Sequence, residues 1–184
     1  MKIKSLAMIA LMAALTAAGA FIRIPMPLVP FTLQTLFCVL SGILLGPKRG
    51  AAAQLLYALI GLAGVPIFTQ GGGIMYVLQP SFGYLLGFIA GAYAAGRVYT
   101  RLHRSGYMNM LLACLAGLAP VYLVGIPYLY MICKFYLGIV DGPATLPGAI
   151  ISGFLLFIPG DIFCCALVSF MGKGAVGYLR RLAA

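Results

Sequence analysis

Gly46-Pro47-Lys48-Arg49-Gly50 separates two short apolar runs, and its reading decides the fold. Runs of this length also suit a re-entrant hairpin that never crosses a bilayer. A hairpin tip would hold Lys48 and Arg49 at the bilayer centre, at a cost of about 5 to 7 kcal/mol. The tip therefore reaches a water surface, and the flanking runs read as membrane helices.

The rest of the 184-residue chain follows the same pattern: 64% of residues are hydrophobic, 8% are charged, and the mean hydropathy is +1.11. That composition lies outside the soluble range and predicts an all-α integral membrane protein. No polar linker, internal repeat or low-complexity stretch divides residues 1–184, so one transmembrane domain is expected. Lys2 and Lys4 followed by an apolar run, with Ala18-Gly19-Ala20 as a cleavage-like site, also resemble a secretory signal. The polytopic remainder favours a first membrane helix there.

Six helices are predicted, over residues 5–22, 32–46, 49–65, 81–100, 107–130 and 158–180. With the amino terminus inside, Lys2, Lys4, Lys48, Arg49, Arg97, Arg101, Arg104, Lys173, Arg180 and Arg181 all fall on the cytoplasmic side. Arg23 and Lys134 alone fall outside, which satisfies the positive-inside rule for six spans with both termini in the cytoplasm. The net charge of +10 therefore anchors loops. It shows no basic face interleaved with aromatics for nucleic acid.

Helix 2, fixed at the inner interface, is too short at about 1.5 Å per residue to reach the outer one. The connection 23–31 must then dip into the membrane. Non-helical backbone at that depth is buried by protein or lines a cavity, so this loop and residues 66–80 are expected to line an outward pocket. The first loop holds three closely spaced prolines and leads to polar Thr32, Gln34 and Thr35; it reads as a stiff flap or as a plain rigid turn. The second contains TQGGGIMY (residues 69–76) and QPSFGY (residues 79–84). Its glycines allow either an amide nest for a ligand or simple loop freedom. A Walker ending is absent, so nucleotide binding has no support.

Asp161, in FIPGDIF (residues 157–163), is one of two carboxylates in the chain and has apolar neighbours on both sides. An acid at membrane depth marks a substrate or ion site, although Pro159-Gly160-Asp161 also suits a helix N-cap. Asp141 maps to the same half. Cys38, Cys114, Cys133, Cys164 and Cys165 show no metal or redox spacing, so neither metal nor disulfide framework is expected. His103 sits in a basic turn as a surface residue. One histidine and two acids supply little general acid-base chemistry, which argues against an enzyme acting on lipid or isoprenoid substrates. On helix 1, Ala10, Ala14 and Ala18 form a small-residue stripe, fit either for packing inside the bundle or for a partner protein.

Several motifs occur in one order along nearly the whole chain: VPFTLQT (29–35), LGPKRG (45–50), LLYALIG (55–61), GVPIF (64–68), PSFGYLLGF (80–88) and IPGD (158–161). Together they resemble the BioY family, the substrate-binding S components of energy-coupling-factor (ECF) biotin transporters. The resemblance implies a six-helix, non-catalytic subunit in the plasma membrane of a prokaryote, needing no cofactor of its own. It would capture biotin outside and work with an ECF transmembrane coupling protein and two ABC ATPases. It also implies that Ala10, Ala14 and Ala18 face the coupling protein. Asp161 would accept a hydrogen bond from a ureido N–H group, with Gln79, Ser81, Tyr84 and Tyr122 as pocket walls. Two departures stand out. Cys164 occupies the position where the family commonly has Lys, and Tyr128 the position of a usual Trp. Lys134, Arg23 or Arg97 is then left to meet a carboxylate, with Arg97 near the cytoplasmic end of helix 4. Dethiobiotin and lipoate are the alternative ligands.

Overall fold

The computed structural model describes residues 3–26, 28–102 and 106–183, with side chains described as far as Phe170. Lys2, His103 and Arg104 lie outside the described residues, as do the side chains of Lys173, Arg180 and Arg181. The fold is a helical bundle. Helix α1 covers Ile3–Phe21, α2 Gln34–Leu45, α3 Pro47–Leu62, α4 Phe82–Leu102 and α5 Tyr107–Met131. A π-helical turn, Ile132–Tyr136, extends α5. The short α6, Leu146–Ile150, runs through a second π-helical turn, Ile151–Leu155, toward α7, Ile158–Ala183.

The first five helices agree with the sequence reading to within about three residues, but the last one does not. The sequence reading began at residue 158, whereas helical structure already starts at Leu146. Pro147, Gly148 and Gly153 are helix-breaking residue types. Tertiary packing overrides them: the Tyr84 hydroxyl donates to the Gly153 carbonyl at 2.8 Å and ties the π turn to α4. Among the described residues, three segments are long and apolar enough to cross a membrane: Ile3–Phe21, Tyr107–Tyr136 and Leu146–Phe170. Gln34–Leu45 is apolar but shorter.

Between α2 and α3, Gly46 takes φ 81°, a left-handed conformation open to glycine, and Pro47 opens the next helix. Lys48 at this tip is exposed. Helices α4 and α5 lie nearly backbone to backbone, because a Cβ on Gly91 would stand 2.6 Å from the Gly117 carbonyl oxygen. Small residues permit this approach, which supplies the dispersion contacts that hold helices together in lipid. Opposite the α2–α3 tip, the strands β1 (Arg23–Ile24) and β2 (Phe31–Thr32) pair antiparallel, with Arg23 facing Thr32 and Ile24 facing Phe31. This ribbon and the connection from α3 to α4 cover that end of the bundle.

Candidate functional site

Asp161 sits in the first turn of α7 and is only 4% exposed. Its Oδ2 accepts a hydrogen bond from the Tyr122 hydroxyl of α5. Thr35 of α2 stands near enough to the carboxylate for a loose polar contact but makes no hydrogen bond of good geometry to it, so Oδ1 is left without a hydrogen-bond partner among the described residues. A buried acceptor left open in this way is costly unless something else fills it. Oδ2 bonds across helices instead of capping α7, so the N-cap reading does not describe this side chain.

The carboxylate borders a cavity at the end of the bundle opposite the α2–α3 tip. Val29, Pro30, Phe31 and Thr32 of the first loop line it, as does Thr69 of the second. Ser81, Tyr84 and Tyr122 from the sequence reading also line it, together with Gln34, Thr35, Tyr76 and Phe157. One wall is a polar network. Thr32 Oγ1 donates to Gln34 Oε1 at 3.0 Å, Gln34 Nε2 to the Tyr57 hydroxyl at 2.7 Å, and that hydroxyl to the Ile67 carbonyl at 3.1 Å. A second chain joins Thr69 Oγ1 to the Tyr76 hydroxyl at 2.8 Å and the Tyr76 hydroxyl to Ser81 Oγ at 3.0 Å. The opposite surface is aromatic: Tyr84 lies edge-on to Tyr122 and to Phe157, with ring centroids 6.3 and 6.4 Å apart. Such a site can hold a flat, apolar heterocycle that carries a few hydrogen-bonding groups.

Its free volume is about 50 Å³. That admits a few waters, whereas ligand pockets commonly enclose roughly 300 to 1,000 Å³. The covering loops are held down. The Arg23 guanidinium donates to the Thr69 carbonyl, and the Tyr128 hydroxyl donates to the Val77 carbonyl. The glycine run serves the loop itself, since the amide of Gly71 donates to the Phe68 carbonyl at 3.3 Å and that of Gly73 to the Gly61 carbonyl at 2.7 Å. These two amides are not aimed at the cavity.

Gln79, Cys164 and Lys134 do not line this cavity. Gln79 holds the turn into α4, its carbonyl accepting from the Phe82 amide at 3.0 Å. Cys164 is 1% exposed inside the bundle. Lys134 borders a separate cavity of about 610 Å³ with Tyr130, Gly138 and Thr145. Its ammonium donates to the Tyr130 hydroxyl at 2.7 Å and lies 5.1 and 5.7 Å from the Tyr130 and Phe135 ring centres. Ala10, Ala14 and Ala18 are exposed on α1, so the stripe faces away from its own bundle. Tyr57, Tyr76 and Phe157 escaped the sequence reading, because aromatics in apolar surroundings have no spacing that separates core from pocket.

A loop-covered polar cavity among helices suits the holding of a small solute. Residues 1–181 match the BioY family, whose members are transporter S components and not enzymes. The chain belongs to that family. A probable biotin transporter BioY of Lysinibacillus sphaericus is 47% identical over 165 residues, covering 90% of this chain and 82% of that protein. The biotin transporter BioY of Rhodobacter capsulatus is 31% identical over 180 residues, covering 95% and 94%. A crystal structure of the S component for biotin from an ECF-type ABC transporter superposes with TM-score 0.77 at 28% identity, covering 98% of this chain and 91% of that one.

Proposed function

We propose that this chain captures biotin at the outer face of a prokaryotic plasma membrane. It acts as one domain, residues 1–184, with six spans and both termini in the cytoplasm. Transport proceeds with an ECF transmembrane coupling protein, which docks on the Ala10, Ala14 and Ala18 stripe, and with two ABC ATPases that hydrolyse the ATP. The relatives named for biotin support the ligand. The observation that carries the site is the open Oδ1 of Asp161 on the cavity wall.

In this reading Asp161 accepts a ureido N–H group, Tyr122 holds the carboxylate in place, and Tyr84 and Ser81 form walls. The ring system needs more room than the closed cavity offers, so binding displaces the two covering loops. Dethiobiotin or lipoate is the second reading: Cys164 departs from the residue that the resemblance leads one to expect, and the carboxylate tail is common to all three compounds.

Titration of the purified protein with biotin, dethiobiotin and lipoate tests this. Hydrogen bonds to a charged group contribute about 1.5 to 3 kcal/mol, so Asp161→Asn should weaken biotin about 10- to 150-fold. The same loss should appear with dethiobiotin, which shares the ureido group, and not with lipoate, which lacks it. Wild-type biotin affinity in Asp161→Asn rejects the site. Saturable binding of another of these compounds in place of biotin rejects the ligand.

A further inference from the structure

A fatty-acid tail ends in a carboxylate, and three cations stand as its possible partners: Arg97, Lys134 and Arg23. The structure separates them. Gly96, next to Arg97, packs against the Gly42 carbonyl and Pro47, at the α2–α3 tip and away from the cavity. Lys134 borders a different cavity, with Gly138 and Thr145, and its ammonium already donates to the Tyr130 hydroxyl at 2.7 Å.

Arg23 is placed differently. The β1–β2 register sets it opposite Thr32, and its guanidinium donates to the Thr69 carbonyl. Thr32 and Thr69 both line the cavity that contains Asp161. A guanidinium has five N–H donors in a planar fork, so the bond to Thr69 leaves an edge to meet a carboxylate in the bidentate manner this group favours. Arg23 is exposed and does not itself line the cavity; its bond to Thr69 and its pairing with Thr32 hold it beside that lining, where its charge stays hydrated until a ligand arrives.

Resting on the capture of a ureido ligand at Asp161, we propose that Arg23 is the carboxylate-recognition residue of this site. The ligand then spans the cavity from an acceptor on α7 to a donor on β1. Because Arg23 also ties β1 to the Thr69 loop, the carboxylate meets the group that joins the two covering loops, and that tie keeps them together over the tail when the ring system displaces them.

The test compares biotin with biotinamide, its neutral carboxamide, on the purified full-length protein. Arg23→Gln keeps a side-chain donor for the Thr69 carbonyl and removes the charge. Biotin affinity should fall about fivefold or more while biotinamide affinity stays within about twofold, and raised salt should erode the preference of the wild type for biotin. Equal loss of both ligands in Arg23→Gln would reduce Arg23 to a loop tie and overturn the proposal. So would wild-type binding of both, or a selective loss of biotin in Lys134→Gln. If the wild type binds neither compound, the capture reading itself is what fails.

Discussion

The Tyr122 hydroxyl donates to Oδ2 of Asp161 from the neighbouring helix, and the other carboxylate oxygen is left without a partner on the cavity wall. One oxygen orients the group and the other remains for a ligand. The T-shaped contact of Tyr84 with Tyr122 continues the arrangement into α4, and the Tyr84 bond to Gly153 continues it into the turn before α7. The site is thus fixed by α4, α5 and α7, and covered by segments that hang from α1, α3 and α4.

Tyr122→Phe removes the orienting donor and leaves a buried carboxylate with neither oxygen bonded to that ring. Losing a hydrogen bond to a charged group should destabilise the ligand-free protein by about 1.5 to 3 kcal/mol. Asp161→Asn, which removes the buried charge itself, should leave ligand-free stability nearly unchanged. Thermal unfolding of both variants in one detergent checks the contrast, and equal melting temperatures would contradict the bond.

Gly125→Ala probes the back wall. A Cβ there would lie 2.5 Å from the Tyr84 ring, and that ring is tethered on its far side by the 2.8 Å bond to Gly153. The ring must shift toward the cavity or strain the tether, and overpacking of this kind costs about 1 to 3 kcal/mol. The protein should melt lower yet still purify as a folded monodisperse species, and biotin affinity should fall by up to about 150-fold, the limit reached if all of that strain is expressed only in the bound state. Unchanged affinity would mean that Tyr84 does not shape the site.

Much of this was legible before any geometry. An isolated acid among apolar residues singled out Asp161, and the Gly46-to-Gly50 punctuation located the α2–α3 tip, because both rest on local energetics. What stayed hidden depends on contacts distant in sequence. Gly153 reads as a helix breaker until the Tyr84 hydroxyl is seen against its carbonyl. Lys134 and Arg23 were equivalent as outward cations in a charge count, and the β1–β2 register together with the separate cavity that Lys134 borders tells them apart. The glycine run could not reveal that its amides serve Phe68 and Gly61.

Orientation is open to a direct measurement. All five cysteines are buried, so a membrane-impermeant thiol reagent meets little background, and a single cysteine placed at the exposed Lys48 reports its own side. Lys48→Cys should be labelled in inverted vesicles and protected in intact cells. Labelling in intact cells would reverse the proposed topology.

The exposed stripe on α1 gives a coupling prediction. Ala14 projects from the bundle, so Ala14→Trp has no internal cavity to disturb, yet it would block close approach of a partner helix. Transport and co-purification with the coupling module should be lost, with biotin binding to the solitary subunit within about twofold of wild type. Loss of solitary binding to the same degree would show that the stripe supports the fold.

Cys164→Lys asks whether a second cation position can serve the same ligand. Cys164 is one helical step of three residues from Asp161 and is 1% exposed, so an ammonium placed there loses hydration and must find a partner. The ligand-free protein should therefore melt lower than wild type. The Arg23 assignment puts the ligand carboxylate at the loop end of the cavity, whereas Cys164 lies one turn further along α7 than Asp161 and does not line the cavity. Biotin should therefore raise the melting temperature of Cys164→Lys by no more than it raises that of the wild type, and in the Arg23→Gln background the same substitution should recover none of the lost biotin affinity. Recovery of biotin affinity by Cys164→Lys would place the carboxylate beside α7 and overturn the Arg23 assignment.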